Sequence, residues 1–512
     1  MSKKFLAVIL AAQIAAQLGL QASPIAEYRN HMKLHIDDIY NLVNNQAHAG
    51  KIKRISTLPV VLDKPGNYVV AHNLVYDGTN AAIRVTADNV HIDFQNHKLT
   101  LIHEAAVGIH AEDVESLQLQ NIHIAGETLF KTATSAAIHL VNVTRAHLES
   151  VYTKNSTKGI FIEHSNSILV TNSQAEAHEG MIQVIFPAPA TLAGTGNGGG
   201  IWVTNSENVG VDRCSFIGAD LPFEPSRSSF GLHIDGDSKN IIVTNSSFLN
   251  WFGSIHAPSC TGLVIDHCSA NNSQYSNFNV VQLGAAAAGM TANDVIIRDS
   301  CLIQTGKVQG FDGLLLLGGS GYLLENLIID TASLEIANGY QPAALHIGYP
   351  NCAAVRDVHV KGSVIKGAAP KMLFIEHGEH IVFDECRISD GTEINVAITG
   401  GLNCTIKNSA IFNGTNGIVL DSPAGRTNSI IDCLVFDHTA CGINVKDKNP
   451  NYLTGNMVWA NRIGIHFSHA GFSAALSNSS YNNQVTNCYN LNQVQMPGAA
   501  QQTVGANICA AP

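Results

Sequence analysis

A histidine and two aspartates lie close together in the segment GLHIDGD, residues 231–237. Alternate side chains of a β-strand point to the same side, so His233, Asp235 and Asp237 would share one face of a strand. Carboxylates two residues apart on a strand are about 6 to 7 Å apart. Inverting glycosidases separate their acid and base carboxylates by about 6.5 to 9.5 Å, which leaves room for a water molecule. The segment is therefore a candidate hydrolytic site.

The same segment is compatible with other chemistry. Either His233 or His256 could be the base that removes a proton beside a uronate carboxylate, as lyases and epimerases require. Arg227 could neutralise that carboxylate. The two aspartates could instead bind Ca²⁺ through their oxygens, which are the ligands that this ion prefers. A further alternative is that DGDS is only a turn, because Asp, Gly and Ser are common turn residues.

These residues belong to a pattern that recurs roughly every 20 to 30 residues from about Ala82 to about Cys488, a period typical of solenoids. Examples are AAIRVTADNVHIDF from Ala81 and KGIFIEHSNSILVTNSQA from Lys158. Each copy contains short runs that alternate apolar and polar residues, separated by Asn, Ser, Gly or Asp, and has no room for a helix. Each copy is therefore predicted to be one coil of a single-domain, all-β parallel β-helix, stabilised by stacking on its neighbours.

The alternation also predicts which side chains face outward from one sheet. The first outward position of successive copies carries Arg84, His110, His139, Phe161, Trp202, His233, His256, His346, Phe374 and His466. The second carries Thr86, Glu112, Glu163, Thr204, Asp235 and Glu376. Coils about 4.8 Å apart would align these residues in a stripe along the axis. The stripe indicates a polysaccharide groove lined by His110, His139, Phe161, Glu163 and Trp202, unless these side chains stack only on one another.

Two insertions interrupt the repeat, at residues 179–198 and 219–229. Insertions in solenoids are loops on one face, often the binding face, so both should border the groove beside Trp202 and His233. The segment MIQVIF within the first insertion could itself be a strand of an extra coil.

Composition limits the classes of partner. The net charge is −11 and charged residues make up 13% of the chain, without a basic run. This argues against a nucleic-acid partner and disfavours a strongly polyanionic ligand. Eleven cysteines would suggest disulfides in an exported chain. However, Cys214, Cys268, Cys386 and Cys433 recur at equivalent places, where Asn172 or Asn245 stands in other copies. We therefore expect buried free thiols, with Cys260 and Cys268 as a possible pair.

The ends of the chain differ from the repeat. Residues 1–22 have the basic start, apolar run and small residue near Ala22 that are typical of a cleaved signal peptide. We therefore expect a secreted or periplasmic protein without a membrane span in the mature chain. Residues 23–54 show helical periodicity and are predicted to cap the stack. The solenoid is assigned to residues 55–490, and residues 491–512 to a second cap or a tail.

The opening segments ISTLPVVLDKPGNYVVAHNL and NAAIRVTADNVHIDFQNHKL, with the repeat itself, resemble the right-handed parallel β-helix, or pectin-lyase-like, superfamily. The resemblance implies a fold shared by lyases, hydrolases, epimerases, adhesins and phage tailspikes. The signatures of polygalacturonases, alginate epimerases and pectate lyases are absent, so no catalytic residue can be assigned from them. Two functions remain open: a secreted polysaccharide lyase or glycoside hydrolase, and a non-catalytic glycan-binding, adhesin or scaffold protein. No cofactor is predicted apart from the possible Ca²⁺, and the sequence does not indicate an oligomeric state.

Overall fold

A computed structural model describes most of the chain as β-strands, and the described residues contain no helix. The described residues are 52–130, 135–178, 180–185, 191–196, 198–218, 227–251, 253–272, 281–284, 290–304, 308–309, 312–331, 334–335, 342–423, 426–447, 449–467, 474–476, 478–484, 486–488 and 508–509. The predicted signal peptide and residues 23–51 of the predicted cap lie outside this part of the chain. The all-β prediction is confirmed.

Each regular coil contributes one strand to each of three parallel sheets, which we call sheets 1, 2 and 3 in the order in which a coil visits them. In a representative coil these strands are Lys158–Glu163, Asn166–Thr171 and Gln174–Glu176. Every one of them pairs in parallel with its counterpart in the next coil. The predicted stack of coils is confirmed.

The strands of the three sheets are as follows. Sheet 1 contains Val60–Leu62, Ala81–Val85, Val107–Glu112, Ala136–Val141, Lys158–Glu163, Gly198–Thr204, Arg227–Asp235, Gly253–Ala257, Val281–Gly284, Leu314–Leu317, Ala343–Ile347, Lys371–Ile375, Cys441–Val445, Ile463–Phe467 and Thr486–Cys488. Sheet 2 contains Lys53–Ile55, Gly66–Val70, Val90–Asp93, Glu115–Gln120, Thr144–Glu149, Asn166–Thr171, Glu207–Asp212, Ser238–Thr244, Cys260–Asp266, Ala292–Asn293, Val295–Arg298, Gly319–Glu325, Val355–Lys361, Gly378–Asp384, Gly401–Leu402, Cys404–Lys407, Asn428–Ile431, Tyr452–Thr454 and Ala474–Leu476. Sheet 3 contains Leu74–Tyr76, Leu99–Leu101, His123–Gly126, Tyr152–Lys154, Gln174–Glu176, Ser215–Ile217, Ser247–Leu249, Ser269–Asn272, Cys301–Gln304, Ile328–Thr331, Val364–Gly367, Leu434–His438, Met457–Trp459, Ser479–Tyr481 and Ile508–Cys509. The long strands Arg387–Ile398 and Ala410–Leu420 run through both sheet 3 and sheet 1.

Four short strands lie outside these sheets. Gly180–Ile185 and Thr191–Gly196 form an antiparallel hairpin, and the first of them also pairs antiparallel with the start of the sheet 1 strand Arg227–Asp235. The two insertions are therefore joined directly, and the prediction that they border one place is confirmed. MIQVIF begins within this hairpin rather than in an extra coil. Val308–Gln309 pairs in parallel with Leu334–Glu335.

The interior is filled by aliphatic ladders that run from coil to coil. In sheet 1, Ile160 lies opposite Ile201, which lies opposite Leu232, and all three are buried. Each such side chain contributes about 1.5 to 3 kcal/mol relative to full exposure. Because the contact is made with the neighbouring coil, the stack supplies the core that a single coil lacks.

The turn after several sheet 1 strands uses one residue in the left-handed region of φ. Asn142, His164 and Asn205 occupy this position in three successive coils, and Gly236 follows with φ +63°. Asn and Gly tolerate this conformation best, which accounts for their recurrence at the ends of the runs. A Cβ at Gly236 would lie 2.1 Å from Oδ1 of Asn205, so this turn requires glycine.

The structure describes the side chains of nine cysteines, of which seven are buried, and all nine are free thiols. Burial raises the pKa of Cys214 to about 12 and that of Cys268 to about 11. The prediction of buried free thiols is confirmed, but the suggested pairing of Cys260 with Cys268 is wrong. The predicted equivalence of Cys214 with Asn172 and Asn245 is wrong by one residue. Cys214 is equivalent to Ser246, and its backbone N–H donates to the Ser246 hydroxyl, 3.1 Å away.

The ends of the predicted solenoid need two corrections. The first described strand, Lys53–Ile55, starts inside the segment that was assigned to the cap. Ile508–Cys509 extends sheet 3 by pairing with Ser479 and Ser480, so part of the predicted tail continues the stack. None of the described segments is a helix that could cross a membrane.

Two histidines are buried as neutral rings inside the stack. His178 donates from Nδ1 to the Ser156 carbonyl, 2.8 Å away, and its Nε2 lies 2.9 Å from the Thr153 hydroxyl. Burial lowers the pKa of His178 to about 4, and it has the same effect on His438. These rings must therefore lose their protons when the chain folds.

We expect the free thiols to be almost inert in the folded protein, because a buried thiol with a raised pKa forms little of the reactive thiolate. Titration with a thiol reagent should give a rapid reaction at the half-buried Cys301 and Cys352. The buried thiols should react only after denaturant is added. A rise in melting temperature under oxidising conditions that a reductant abolishes would show that disulfides form after all.

Acid should destabilise the fold between pH 6.5 and pH 4. In this range the unfolded chain binds protons that folded His178 and His438 do not, so the free energy of unfolding falls as the pH falls. The loss is up to about 3 kcal/mol for each ring. Urea unfolding at pH 7 and pH 4 measures the effect. His178→Gln should show a smaller pH dependence than wild type, whereas the exposed control His103→Gln should not. Equal pH dependence in all three proteins would contradict this account.

Candidate functional site

The outward positions of sheet 1 form one continuous row, which we call the imidazole row. Pairing joins each member to the next without a break. The row contains Arg84, His110, His139, Phe161, Trp202, His233, His256, Gln282, Leu315, His346, Phe374, Ala397, Val419, Asn444 and His466. The predicted stripe is therefore present, with apolar and amide side chains at positions that were not predicted.

A second row, which we call the carboxylate row, runs beside it at the carboxyl ends of the same strands. In successive coils it carries Glu112, Val141, Glu163, Thr204 and Asp235. Each of its three carboxylates contacts a histidine of the imidazole row. The distances are 3.5 Å for His110–Glu112, 3.2 Å for His139–Glu163 and 3.1 Å for His233–Asp235. The acids are thus held in place while they remain partly exposed.

Asp235 has the most extensive set of contacts in the carboxylate row. His233 Nε2 lies 3.1 Å from one of its oxygens, and the Thr204 hydroxyl donates to the other. Trp202 donates in turn from Nε1 to the Thr204 oxygen at 3.0 Å. Burial raises the pKa of Asp235, but these hydrogen bonds and the charge of nearby Lys158 outweigh it and lower the pKa overall. Asp235 is therefore ionised at neutral pH and accepts these hydrogen bonds.

Behind Asp235, two imidazoles extend the network into the protein. Nδ1 of His233 lies 3.0 Å from Nδ1 of His256, and both rings are almost fully buried. With Asp235 ionised, His233 donates from Nε2 and must accept at Nδ1, so His256 donates from its own Nδ1. Burial lowers the pKa of both rings, most strongly for His256. The prediction that the two histidines share a face one coil apart is confirmed.

Lys158 is a cation beside the carboxylates that sequence reasoning missed. Its Nζ lies 3.9 Å from the ring centroid of Phe161 and 5.2 Å from that of Trp202. Burial lowers its pKa, and the charges of Glu163 and Asp235 oppose that effect. The sequence contains no signal for this role other than a lysine at the start of an outward-facing strand.

The aromatic residues of the row do not offer faces on which a sugar could stack. Trp202 is only 6% exposed, and its ring centroid lies 3.7 Å from that of His233. Phe161 stacks on His139 with an angle of 12° between the rings and carries Lys158 above it. Trp202 and Phe374 point outward from the sheet as predicted, but both are buried. The partly exposed carboxylates are the groups that a ligand can reach.

Asp237 does not lie on the strand that carries Asp235. The strand ends at Asp235, the chain turns at Gly236, and the Asp237 backbone N–H donates to Oδ1 of Asn205 at 3.1 Å. The prediction that both aspartates project from one strand is therefore wrong, because this coil turns where its neighbours do. The side chain of Arg227 and residues 219–226 of the second insertion lie outside the described residues.

Among the described residues, one group of donors is compatible with a metal ion: Asp266, His267 and Asp299 on the edge of sheet 2. Asp266 already accepts a hydrogen bond from Arg298, and His267 Nδ1 lies 2.6 Å from its other oxygen. The group is remote in sequence from Asp235 and Asp237, which were the predicted Ca²⁺ ligands. The internal ion pair accounts for its geometry.

Two family models match different parts of the chain. The model described as "Right handed beta helix region" matches residues 107–329, which include the carboxylate row. The model described as "Periplasmic copper-binding protein (NosD)" matches residues 340–498. No curated protein sequence matches the chain.

Solved structures with a similar fold include two phage tailspikes and an epimerase. The Dettilon tailspike protein is 12% identical with a TM-score of 0.41, over 74% of this chain and 61% of that chain. A tailspike mutant of E. coli bacteriophage HK620 in complex with a pentasaccharide is 10% identical with a TM-score of 0.43, over 83% and 74%. A mutant of the periplasmic alginate epimerase AlgG is 9% identical with a TM-score of 0.38, over 75% and 78%. The chain thus spans less than two thirds of the length of the Dettilon protein.

The described residues within 340–498 do not fit a copper centre. No three donors from His, Cys, Asp or Glu converge there among the described residues. The thiols of Cys386, Cys404 and Cys433 are buried, and burial raises their pKa to about 11 or 12, so they are protonated. Cysteine binds copper as the thiolate, and histidine binds it as the neutral imidazole. These three thiols therefore belong to the core of the stack.

Asp235→Asn should lower the pKa of His233 further below its usual value of about 6.5. Asp235 is the group that raises this pKa against the effect of burial, and an amide carries no charge to do so. Titration of the histidine ring signals by NMR measures the change. The control Asp237→Asn alters an exposed carboxylate in the adjacent turn and should leave the pKa of His233 as it is. A rise, or an equal shift in both variants, would contradict the assigned contact.

Proposed function

Because the chain belongs to the right-handed parallel β-helix superfamily, whose fold serves many activities, we propose a function from the site itself. The protein binds a neutral, hydroxyl-rich polysaccharide along the outer face of sheet 1 and hydrolyses it beside Asp235. The observation that carries this proposal is the carboxylate row, in which Glu163 and Asp235 lie two coils apart. Their side chains are 30% and 31% exposed, and each is hydrogen-bonded to a histidine.

The chemistry of the row favours hydroxyl groups as its ligands. Carboxylates are strong hydrogen-bond acceptors, and a sugar chain supplies a regular series of hydroxyl donors. Glu112, Glu163 and Asp235 lie on a line that runs for about 19 Å, four coil spacings of about 4.8 Å. A line of acids on a chain of net charge −11 repels a polyuronate. An extended neutral polysaccharide therefore fits this surface better.

The separation of the two acids supports hydrolysis with inversion. Two coil spacings place the backbone of Glu163 about 9.6 Å from that of Asp235. Inverting enzymes hold their carboxyl groups about 6.5 to 9.5 Å apart, whereas retaining enzymes hold them about 5 to 5.5 Å apart. Asp235, kept ionised by its hydrogen bonds, takes a proton from the attacking water. Glu163 acts in its protonated form and gives this proton to the leaving oxygen as the glycosidic bond breaks, while the oxygen of the water bonds to the anomeric carbon.

The buried imidazoles support this reaction indirectly. His233 orients Asp235 through Nε2, and His256 fixes the tautomer of His233. Both rings are too deeply buried to contact a sugar, so the predicted role of either one as the base of a lyase is less well supported than a positioning role. Lys158, which could face a uronate, already interacts with the charges of Glu163 and Asp235.

A non-catalytic glycan-binding or scaffold protein is the second candidate. The self-stacked rings of the imidazole row favour it, because they stabilise the sheet without facing solvent. In this case the carboxylates would hold a glycan without cleaving it. Variants of Glu163 would then alter affinity but release no product, which separates the two candidates.

Export to the periplasm or the medium is part of the proposal. The pattern of residues 1–22 and the word "periplasmic" in one matched family description support it. A polysaccharide outside the cytoplasm is the corresponding substrate. No copper is proposed, since the described residues do not fit that ion.

Asp235→Asn and Glu163→Gln should each reduce hydrolysis by about 10²- to 10⁴-fold, because each removes one proton-transfer step. The measurement is the release of reducing ends from a panel of neutral and uronic polysaccharides, with absorbance of unsaturated products read in parallel.

The matched control is Glu149→Gln, which alters a half-buried carboxylate on sheet 2 and should retain full activity. Unsaturated products would indicate a lyase and contradict the proposal. Retention of a glycan without any product would favour the binding protein, and full activity in Asp235→Asn would remove Asp235 from the mechanism.

A further inference from the structure

A second cluster of ionisable side chains lies on sheet 1, three to five coils beyond Asp235. His346 is fully buried, and each of its ring nitrogens contacts a carboxylate. Nδ1 lies 3.2 Å from Oδ2 of Asp312, and Nε2 lies 3.2 Å from Oε2 of Glu376. Asp312 is also buried and accepts a hydrogen bond from the Ala343 backbone N–H at 2.7 Å. The imidazole thus links a buried acid to one that is 26% exposed.

A nearly buried lysine completes the cluster. Nζ of Lys371 lies 3.4 Å from the ring centroid of Phe374, and the Phe374 ring lies 4.7 Å from that of His346. Burial lowers the pKa of Lys371, while the charges of Glu376, Glu393 and Asp312 oppose that effect. The cluster therefore brings both signs of charge together within an otherwise apolar part of the row, beside Leu315 and Ala397.

Stability alone gives a poor account of this cluster. A buried ion pair gains little over well-packed apolar residues, because desolvation offsets the attraction between its charges. The neighbouring positions of the same row show that aliphatic side chains are accommodated here. Strongly coupled charges at one place on a surface are typical of functional sites.

The position of Glu376 repeats that of Asp235. Glu376 follows Phe374 by two residues, as Asp235 follows His233, and Phe374 and His233 are five steps apart in one row. Five coil spacings correspond to about 24 Å. In both places a partly exposed carboxylate is held by an imidazole. The residues between them, such as Gln282 and Leu317, are buried, so the two carboxylates belong to separate sites.

We propose that Glu376 is the ligand-binding group of a second site for the hydroxyl groups of a neutral sugar. His346 and Asp312 are positioning residues that orient its carboxylate, and Lys371 is the cation beside it. The choice of ligand class rests on the function proposed above, whereas the site itself rests on the contacts of His346 with Asp312 and Glu376. The binding involves no covalent step.

The test is calorimetric titration of the full chain with a panel of neutral cello-, xylo-, manno- and malto-oligosaccharides. The wild-type chain should bind two molecules of at least one of them. Glu376→Gln should weaken one of the two sites at least about tenfold, because an amide replaces a charge-assisted acceptor. Asp235→Asn should weaken only the other. The control Glu379→Gln, at a similarly exposed acid that pairs with Arg356 on sheet 2, should leave both unchanged.

The outcomes separate this inference from the proposed function. A single site that Asp235→Asn removes and Glu376→Gln leaves intact would overturn the inference alone. A single site with the opposite response would support the inference and overturn the proposed role of the carboxylate row. Absence of binding to every oligosaccharide would overturn both.

The role of His346 has its own measurement. Asp312 and Glu376 raise its pKa against the effect of burial, so affinity at this site should fall as the pH rises above 6.5 through that raised pKa. The neutral ring keeps only one N–H for its two carboxylates. Glu393, Tyr349 and Lys371 are the other titratable groups near this ring or its partners. His346→Gln should bind the oligosaccharide more weakly, and its affinity should not depend on pH in this range. If His346 has a purely structural role, the variant should keep the pH dependence of the wild-type affinity.

Discussion

The structure depends on one constraint: each coil of the chain lies in register on the coil before it. Parallel pairing repeats the same position about every 4.8 Å, so any residue type that recurs in the sequence becomes a line in space. Inside the stack these lines are mainly aliphatic ladders, which supply the core. Outside the stack, the same constraint creates the imidazole row and the carboxylate row of sheet 1.

The same stacking decides which of the outward residues can act. Rings in neighbouring coils cover one another's faces, as His139 covers Phe161 and Trp202 covers His233. These rings therefore stabilise the sheet and offer no open face to a sugar. The carboxylates at the strand ends are not covered in this way, because each contacts the Nε2 atom of a histidine and stays partly exposed. The proposed function therefore assigns contact with the ligand to the acids and not to the aromatic residues.

Much of this could be predicted from the sequence, since period, alternation and turn residues are local signals. The coils, the outward positions of His233 and His256 and the free thiols follow from them. The features that the sequence did not predict depend on contacts between neighbouring coils. Asp237 follows a turn at Gly236, which aligns with the turn at Asn205 in the preceding coil. The segment GLHIDGD alone does not show this alignment. The contact of Asp312 with His346 joins residues 34 apart in sequence, which no short motif reveals.

The stereochemistry of the first product tests the central claim most directly. NMR of the sugar released by the wild-type chain, recorded before the anomers equilibrate, shows which anomer forms first. The backbones of Glu163 and Asp235 lie two coil spacings or about 9.6 Å apart, which exceeds the separation that retention requires, so we predict the inverted anomer. The retained anomer would require acids about 5 to 5.5 Å apart and would contradict the assigned pair.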